Sequence, residues 1–538
     1  MANVTDILKR QEKADNLRSY LASTWRDISD CVRPVKQDIG TTPGKGATPD
    51  MTRLDLISDS TAIGANLTYA AGCMSWMTPS ETTWFAFGPP ERFKGDDEVN
   101  RWYSTCSDIT QRVLANSNFY SQIHEVYLDD GAFGTSGMIV EEDSKTGVRF
   151  EALQIGDYSI LENDKREVDT TFRTLKLSPR QAAQKFGIEN LSEETRKLLD
   201  EDVKDNDATQ EYSHCVMPRE DYDRGKIDAA NMPIASTYID KKAKKIVLES
   251  GTWEKPIMVH RHLLWSHSPY GISPGMIALG DAQRLNEMQD YLDALVEKQV
   301  TPPVKAPASF KGDVDLRRGG ITFFKDGAEP KFWENPGNHM IGEDRTIFRQ
   351  RQVNRAFHVE LFQALNEVPV GKEMTAAEIH MRQRDRLTLF SPTFARKNQE
   401  LNDPIIRRTF SILLRAGAFP KPPRSLMQVT PDGLGFIPDP EINYLSRLAL
   451  QIKAIHNEAY LRTVETLAPM AQFAPDMLDH FDTDKLARGV ARNEGFQEDW
   501  MRPERDVDGI RQKRAEQQQA AQEQLQAKEQ AETLAKIA

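Results

Sequence analysis

The chain has 538 residues, 39% hydrophobic and 28% charged, enough to bury more than one core beneath a charged surface. Its 81 acidic residues outnumber 69 basic ones, for a formal net charge of −12. That balance argues against a protein whose whole task is to grip duplex DNA. A weak, sliding contact remains compatible with it.

No apolar run approaches the roughly 20 residues that span a bilayer. Residues 1–6 lack the basic-then-apolar layout of a signal peptide. Cys31, Cys73, Cys106 and Cys215 show no CxxC spacing, which points to a reducing compartment and away from a disulfide framework or zinc ribbon.

The first predicted element is one helix with Ala14, Leu17, Leu21, Trp25, Ile28 and Val32 on a single face, ended by Pro34. Residues 36–52, rich in Gly, Thr and Pro, read as a mobile loop. A second helix over Ser58–Met77 carries Ala62, Gly64, Ala65, Ala70, Ala71 and Gly72, so it packs closely on a neighbour. Trp84–Phe87 reads as a short strand, and residues 97–130 as one or two helices. From Gly137 to Thr174 the pattern shifts to short strands at 138–140, 148–150 and 168–172. Leu177–Leu199 is helical, opened by Ser178-Pro179. Residues 211–265 return to strands, including 236–239 and 245–248.

The middle of the chain is the most distinctive part. Leu285, Met288, Leu292, Leu295 and Val296 recur at helical spacing, and Thr301-Pro302-Pro303 stops the run. A turn-rich excursion follows, with Pro307, Gly312, Gly319, Gly320, Gly327, Pro330, Pro336 and Gly337. It includes extended pieces such as Ile321–Phe324. A second helix begins near Asp344 and carries Ile347, Phe348, Phe357, Leu361 and Leu365. Two long helices with a small insert at their far end predict a protruding stalk. That layout is commoner in a ring-forming channel protein than in an enzyme.

Glu367–Met374 contains Pro369 and Gly371 and reads as a break between helices. Thr375 caps the next helix, with Glu378 at the capping-box position. That helix runs toward Ala416, with kinks expected at Pro392 and Pro404. Residues 420–440 read as a Pro-rich linker or a last small sheet. From Asn443 the chain is helical almost to its end. Arg505–Ala538, dominated by Gln, Ala, Glu and Lys, is a helix that needs a bundle or neighbouring subunits.

Motifs with chemical potential have plainer readings beside them. Gly40 to Lys45 has three residues between its glycines and Gly46 after the lysine, so it fails the phosphate-loop pattern. His260, His262 and His267 alternate like metal ligands, but no carboxylate or cysteine is close in sequence. Strand histidines near the stalk base are the favoured reading. Asp129-Asp130 and Glu141-Glu142-Asp143 suggest a divalent-cation site only weakly, and read as turn acids. Ser75, Ser80 and Ser136 lie outside any GxSxG context. No catalytic, cofactor or metal site is therefore expected. Arg345, Arg349, Arg351 and Arg355, then Arg382, Arg384 and Arg386, cluster against the acidic trend. They fit either a solvated, ion-paired face or contact with phosphates in a channel.

Four stretches together resemble one family. They are residues 67–79 followed by Trp84–Phe87, the run from Tyr270 to Ala282, the run from Met374 to Arg382, and the run from Tyr444 to Ala449. The chain resembles the head-to-tail connector, or portal, proteins of short-tailed bacteriophages over roughly residues 5–515. The resemblance implies an α+β, predominantly helical subunit assembled as a ring, typically a dodecamer. It implies a wing at 1–270, stem helices at 271–300 and 343–366, and a clip at 301–342. A channel loop would occupy 367–374, a long wing helix and linker 375–440, and a helical crown 441–538 with a possible C-terminal barrel. The ring would stand at one capsid vertex of a virion assembled in the host cytoplasm, and double-stranded DNA would pass through it during packaging and ejection. Its implied partners are further copies of itself, the terminase motor, tail and adaptor proteins, and capsid and scaffolding proteins, with no membrane and no cofactor. The channel loop would present Val368, Pro369, Val370, Gly371 and Lys372. Lys305, Phe310, Arg317, Arg318 and Trp333 would meet clip partners. A cytoplasmic scaffold and a DNA-packaging enzyme are the alternatives. The missing phosphate loop weighs against the second, and the stalk layout against the first.

Overall fold

The computed structural model describes residues 4–36, 39, 52–200, 209–220, 222–223, 226, 228–311, 313–317, 320–324, 327, 329–332, 339–366, 391–429, 435–450, 463, 465–467, 482–493, 501–502 and 504–537. The chain mixes helix and sheet and divides into two units. One comprises Met1–Ser75 with Ala115–Thr409, the other Trp76–Leu114 with Phe410–Ala538.

The first unit opens with α1 (Val4–Ser19) and α2 (Ala22–Cys31). The single N-terminal helix expected from periodicity is thus two helices, divided at Tyr20-Leu21. Leu21, Trp25, Ile28 and Val32 are buried as expected, whereas Leu17 is exposed. Helices α3 (Thr52–Asp55) and α4 (Thr61–Met77) follow. The close packing expected of α4 is met at Gly72, where an added Cβ would lie 2.4 Å from the Phe362 ring. Most of the 36–52 segment lies outside the described residues.

A five-stranded antiparallel sheet holds the rest of this unit's N-terminal part. Its strands are β4 (Tyr158–Glu162), β5 (Val168–Leu177), β6 (Gln210–Pro218), β7 (Ile234–Asp240) and β8 (Lys245–Thr252), in that order. Side-chain alternation gives each face its own core. Phe172, Cys215, Met217, Ala235 and Ile239 pack with Ile7 and Ala14 of α1. Leu175, Tyr212, Tyr238 and Val247 pack with Ala182 and Phe186 of α7 (Pro179–Phe186) and with Leu191. Ser178 caps α7 in a full capping box with Gln181. The helix expected over 177–199 is interrupted after Phe186 and resumes as α8 (Glu193–Asp200). Strand β4 carried no distinct signal in the sequence.

A second sheet has the order β3–β2–β9, from β2 (Thr135–Asp143), β3 (Gly147–Leu153) and β9 (Ile257–Arg261). Helix α5 (Asp97–Asn116) leads into α6 (Phe119–Phe133), which feeds β2 through Gly134. Gly134 has φ +71°, and a Cβ there would strike the Ile272–Ser273 backbone at 2.6 Å, so no larger residue fits.

Helix α9 (Pro274–Val300) is the longer stalk helix, about 40 Å at 1.5 Å per residue. The Ser273 hydroxyl caps it, accepting from Met276 N at 2.7 Å and donating to Ala132 O at 2.7 Å. Thr301-Pro302-Pro303 ends it as the sequence predicts. The return helix is broken into α10 (His339–Ala356) and α11 (Val359–Asn366), because His358 adopts φ +56°. In the insert, Val304–Lys305 pairs antiparallel with Lys331–Phe332. Ile321–Phe324 belongs to no strand ladder.

The long helix expected over 375–416 is described only from residue 391. Residues 391–397 (α12) are helical, Asn398–Asn402 form a π turn, and α13 (Asp403–Arg415) continues. The expected kink at Pro404 takes the form of that π turn. Pro404 has no N–H for the carbonyl of Glu400, and the wider turn absorbs the gap.

In the second unit, β1 (Phe85–Gly88) pairs antiparallel with Glu441–Tyr444. The helix expected from Asn443 therefore starts later, because Asn443 and Tyr444 are ladder residues. Phe87, Trp102, Tyr103, Phe410 and Phe419 form an aromatic core. Trp102 donates to Pro420 O and Tyr103 to Pro438 O, both at 2.9 Å, and these bonds fasten the Pro-rich stretch. Gln428–Val429 and Gly435–Phe436 pair as the small sheet anticipated there. Thr483–Asn493 and Glu504–Ile537 are helices, and the described side chains from 511 to 522 are all exposed.

Candidate docking surface and buried ionic centre

Two features of the first unit stand out chemically: an uncovered stalk and a buried cluster of charge.

Helices α9 and α10 run antiparallel, since Gly342 meets Leu292 while Arg349 meets Asp281. The first contact is intimate, with a Cβ at Gly342 falling 2.6 Å from Leu292 Cδ2. Arg349 Nη1 donates to Asp281 Oδ1 at 2.7 Å. Burial on α9 stops at Leu285. Beyond it Met288, Leu292 and Leu295 are half-buried, and Tyr291, Val296 and Val300 are exposed, at 74% and 75% for the first and last. Ile347 and Phe348 of α10 are exposed too. Large apolar side chains that find no cover among the described residues make this a candidate association surface.

The insert continues this pattern. No described residue from 301 to 332 is buried. Leu316, Ile321, Phe323, Phe324 and Phe332 are exposed, Phe323 at 88%. Of the expected partner contacts, Lys305 and Arg317 are exposed and Phe310 is half-buried. Arg317 is held locally by a two-point bond to Asp315, both contacts at 2.9 Å. Arg318 and Trp333 lie outside the described residues. Arg345, Arg351 and Arg355 are exposed and pair with no described acid, while Arg349 takes the ion-paired role. Arg382, Arg384 and Arg386, and the loop residues Val368, Pro369, Val370, Gly371 and Lys372, also lie outside the described residues.

The buried centre corrects one expectation. Asp129 and Asp130 are not turn acids but fully buried residues of α6. Asp129 pairs with Arg33, and with Lys36 at 3.6 Å. Asp130 lies between Lys397 of α12, at 2.6 Å from Oδ2, and the two histidines of the β9 edge. Asp143 does behave as a turn acid, accepting from the Thr146 N–H at 2.8 Å.

Lys397 Nζ also meets Tyr69 OH at 2.8 Å and Cys73 Sγ at 3.6 Å, and lies over the Tyr69 and Tyr127 rings. Burial alone would lower the Lys397 pKa, but the Asp130 carboxylate overrides it and the net direction is upward. Burial would likewise raise Asp130, and Lys397 with the histidines holds it well below the usual carboxylate range. Burial pushes the His260 pKa down, against the upward pull of Asp130. Burial raises the Cys73 thiol, only partly offset by Lys397. Around this core Arg261 pairs with Glu162, and with Glu400 of the π turn at 2.7 Å. His267 is exposed and takes no part. The lysine is the member that sequence reading missed. Its partner is 267 residues away, and only the alternation of His260 and His262 hinted at a site.

The first unit thus joins an α+β body to a helical pair with exposed apolar side chains and an insert with no buried residue among those described from 301 to 332. The model of the family described as bacteriophage head to tail connecting protein matches residues 4–501. The chain belongs to that family. The portal protein of Salmonella phage epsilon15 is 30% identical over 526 residues, covering 96% of this chain and 92% of that one. The probable portal protein of Bordetella phage BPP-1 is 29% identical over 546 residues, covering 99% and 94%. A chain of the virion of a native gene transfer agent particle aligns over 78% of this chain and 91% of its own, at 11% identity and a TM-score of 0.38. The protein is thus a phage head-to-tail connector of the portal kind, and the scaffold and packaging-enzyme alternatives are not favoured. No helix among the described residues is long and apolar enough to cross a membrane.

Proposed function

We propose that this protein forms the portal ring at one vertex of a phage capsid, a channel for double-stranded DNA during packaging and ejection. The observation that carries the ring is the stalk. One chain leaves Tyr291, Val296, Val300, Ile347 and Phe348 exposed on more than one side of the stalk, and a closed circle of stalks, in which each has a neighbour on either flank, buries such side chains without leaving an edge. Each such side chain, once buried, contributes on the order of 1.5–3 kcal/mol.

In this reading residues 1–270 are the wing, 271–300 and 343–366 the stem, 301–342 the clip, and 367–374 the channel loop. Residues 375–440 are the long wing helix and linker, and 441–538 the crown. A dodecamer is the expected ring. The clip, with no buried residue among those described from 301 to 332, takes the terminase motor during packaging and the tail adaptor afterwards, while capsid and scaffolding proteins meet the wing. Assembly takes place in the host cytoplasm. The protein hydrolyses no nucleotide, and the motor supplies the work.

Purified protein viewed by negative-stain microscopy should show rings with a central hole, with no nucleotide turnover in the same sample. A monomer by light scattering at every salt concentration, or turnover by the chain itself, overturns the proposal.

A further inference from the structure

The buried centre holds more donor atoms than its lysine uses. The three N–H groups of Lys397 face Asp130 Oδ2, Tyr69 OH and Cys73 Sγ. Asp130 Oδ1 and both ring nitrogens of His260 are buried and make no hydrogen bond. His260 Nε2 nevertheless lies 3.2 Å from Asp130 Oδ1, and His262 Nδ1 lies 3.3 Å from Asp130 Oδ2. One donor from each of Asp130, His260 and His262 falls within 4.8 Å of the others, and all three residues are buried. Two imidazoles and a carboxylate converging in this way are a ligand set for a small divalent cation.

We propose that Asp130, His260 and His262 form a transition-metal site whose resident cation is the Lys397 ammonium, so that lysine and a zinc-class ion are alternative occupants. Two imidazoles favour zinc or cobalt(II) over magnesium or calcium, which take oxygen donors. The two cations exclude each other, because Asp130 carries a single negative charge and like charges at this spacing in a buried site repel strongly. The lysine arrives on α12, immediately before the π turn, whereas the three ligands sit on α6 and the β9 edge.

The test is cobalt(II) titration of the full chain, wild type against Lys397→Met, read by visible absorption, with thermal melting in zinc as a second measurement. Lys397→Met should bind one cobalt ion per chain with the absorption of a low-coordinate nitrogen-containing site, and wild type should bind far more weakly. Zinc should raise the melting temperature of Lys397→Met and leave wild type unmoved. Adding His260→Gln to the variant removes a direct ligand and should weaken its metal affinity by more than the roughly 10–100-fold that loss of an outer-shell partner costs. Should Lys397→Met be recovered only from denaturant, its refolding yield should depend on zinc. The proposal is overturned if Lys397→Met binds no tighter than wild type, if binding survives His260→Gln unchanged, or if refolding is indifferent to zinc.

Discussion

A fully buried lysine is costly to keep and costlier to orphan. Lys397 is held by Asp130, Tyr69 and Cys73 at a point where α4, α6, β9 and α12 converge. Lys397→Ala leaves the Asp130 charge buried without its counterion, and should cost about 3–5 kcal/mol. Denaturant unfolding of the isolated subunit measures it, and a loss below about 1 kcal/mol would mean that water or a histidine replaces the ammonium. A second buried residue sets a pH limit. His214 on β6 stacks on Tyr238 at 4.0 Å and bonds to Ser236 Oγ at 2.9 Å. Burial, then the nearby Arg173 and Lys185 charges, push its pKa well down. The unfolded chain therefore takes a proton near pH 6.5 that the folded chain refuses. Stability from His214 is present above that pH and is lost as pH falls toward the depressed folded value. His214→Gln should flatten the acid limb of a stability profile below pH 6.5. An unchanged limb would assign the acid sensitivity elsewhere.

At the scale of elements, the sequence spoke clearly where proline or periodicity set a boundary. Thr301-Pro302-Pro303 ends α9, Ser178-Pro179 opens α7, and the apolar alternation of β5 to β7 separates two cores. It was silent where tertiary packing decides. Nothing in Phe357-His358 announces the left-handed residue that splits the return helix, because the cost of one positive φ is met by burying Phe357 and Leu361 on either side. The ionic centre was equally hidden, since its members come from four elements far apart in sequence. The stalk supports two predictions. Val296→Glu together with Tyr291→Asp places charge in the proposed seam between subunits. Rings should give way to monomers by light scattering while helical content by circular dichroism is kept. Intact rings would show that this stripe faces solvent in the assembly. Deleting 311–320 from the insert should leave rings intact in micrographs and block DNA packaging or tail attachment. Loss of the rings would make the insert an assembly element instead.

At the scale of the whole molecule, the net charge of −12 per chain is multiplied by every subunit in a ring. A channel lined by such chains repels phosphates and keeps passing DNA from sticking. In the proposed channel, cationic belts would supply local, exchangeable contacts. The exposed Arg345, Arg351 and Arg355 of α10 are one candidate belt, and Lys372 of the proposed channel loop is another. Pro369 and Gly371 predict a break in helix over residues 367–374, which lie outside the described residues, and in the proposed ring flanking helices held by neighbouring subunits would direct this segment inward. A circle of Lys372 ammonium groups, tempered by Glu367 and Glu373, would grip DNA weakly and in a salt-dependent way. Replacing residues 368–372 with a Gly-Ser linker should leave ring assembly unchanged and reduce either DNA packaging or retention of the packaged genome. Lys372→Ala alone should reproduce part of the retention defect, more at low salt than at high salt, because screening already weakens the native contact. Normal packaging, retention and infectivity in the linker variant would show that the segment is a surface turn that never meets the DNA.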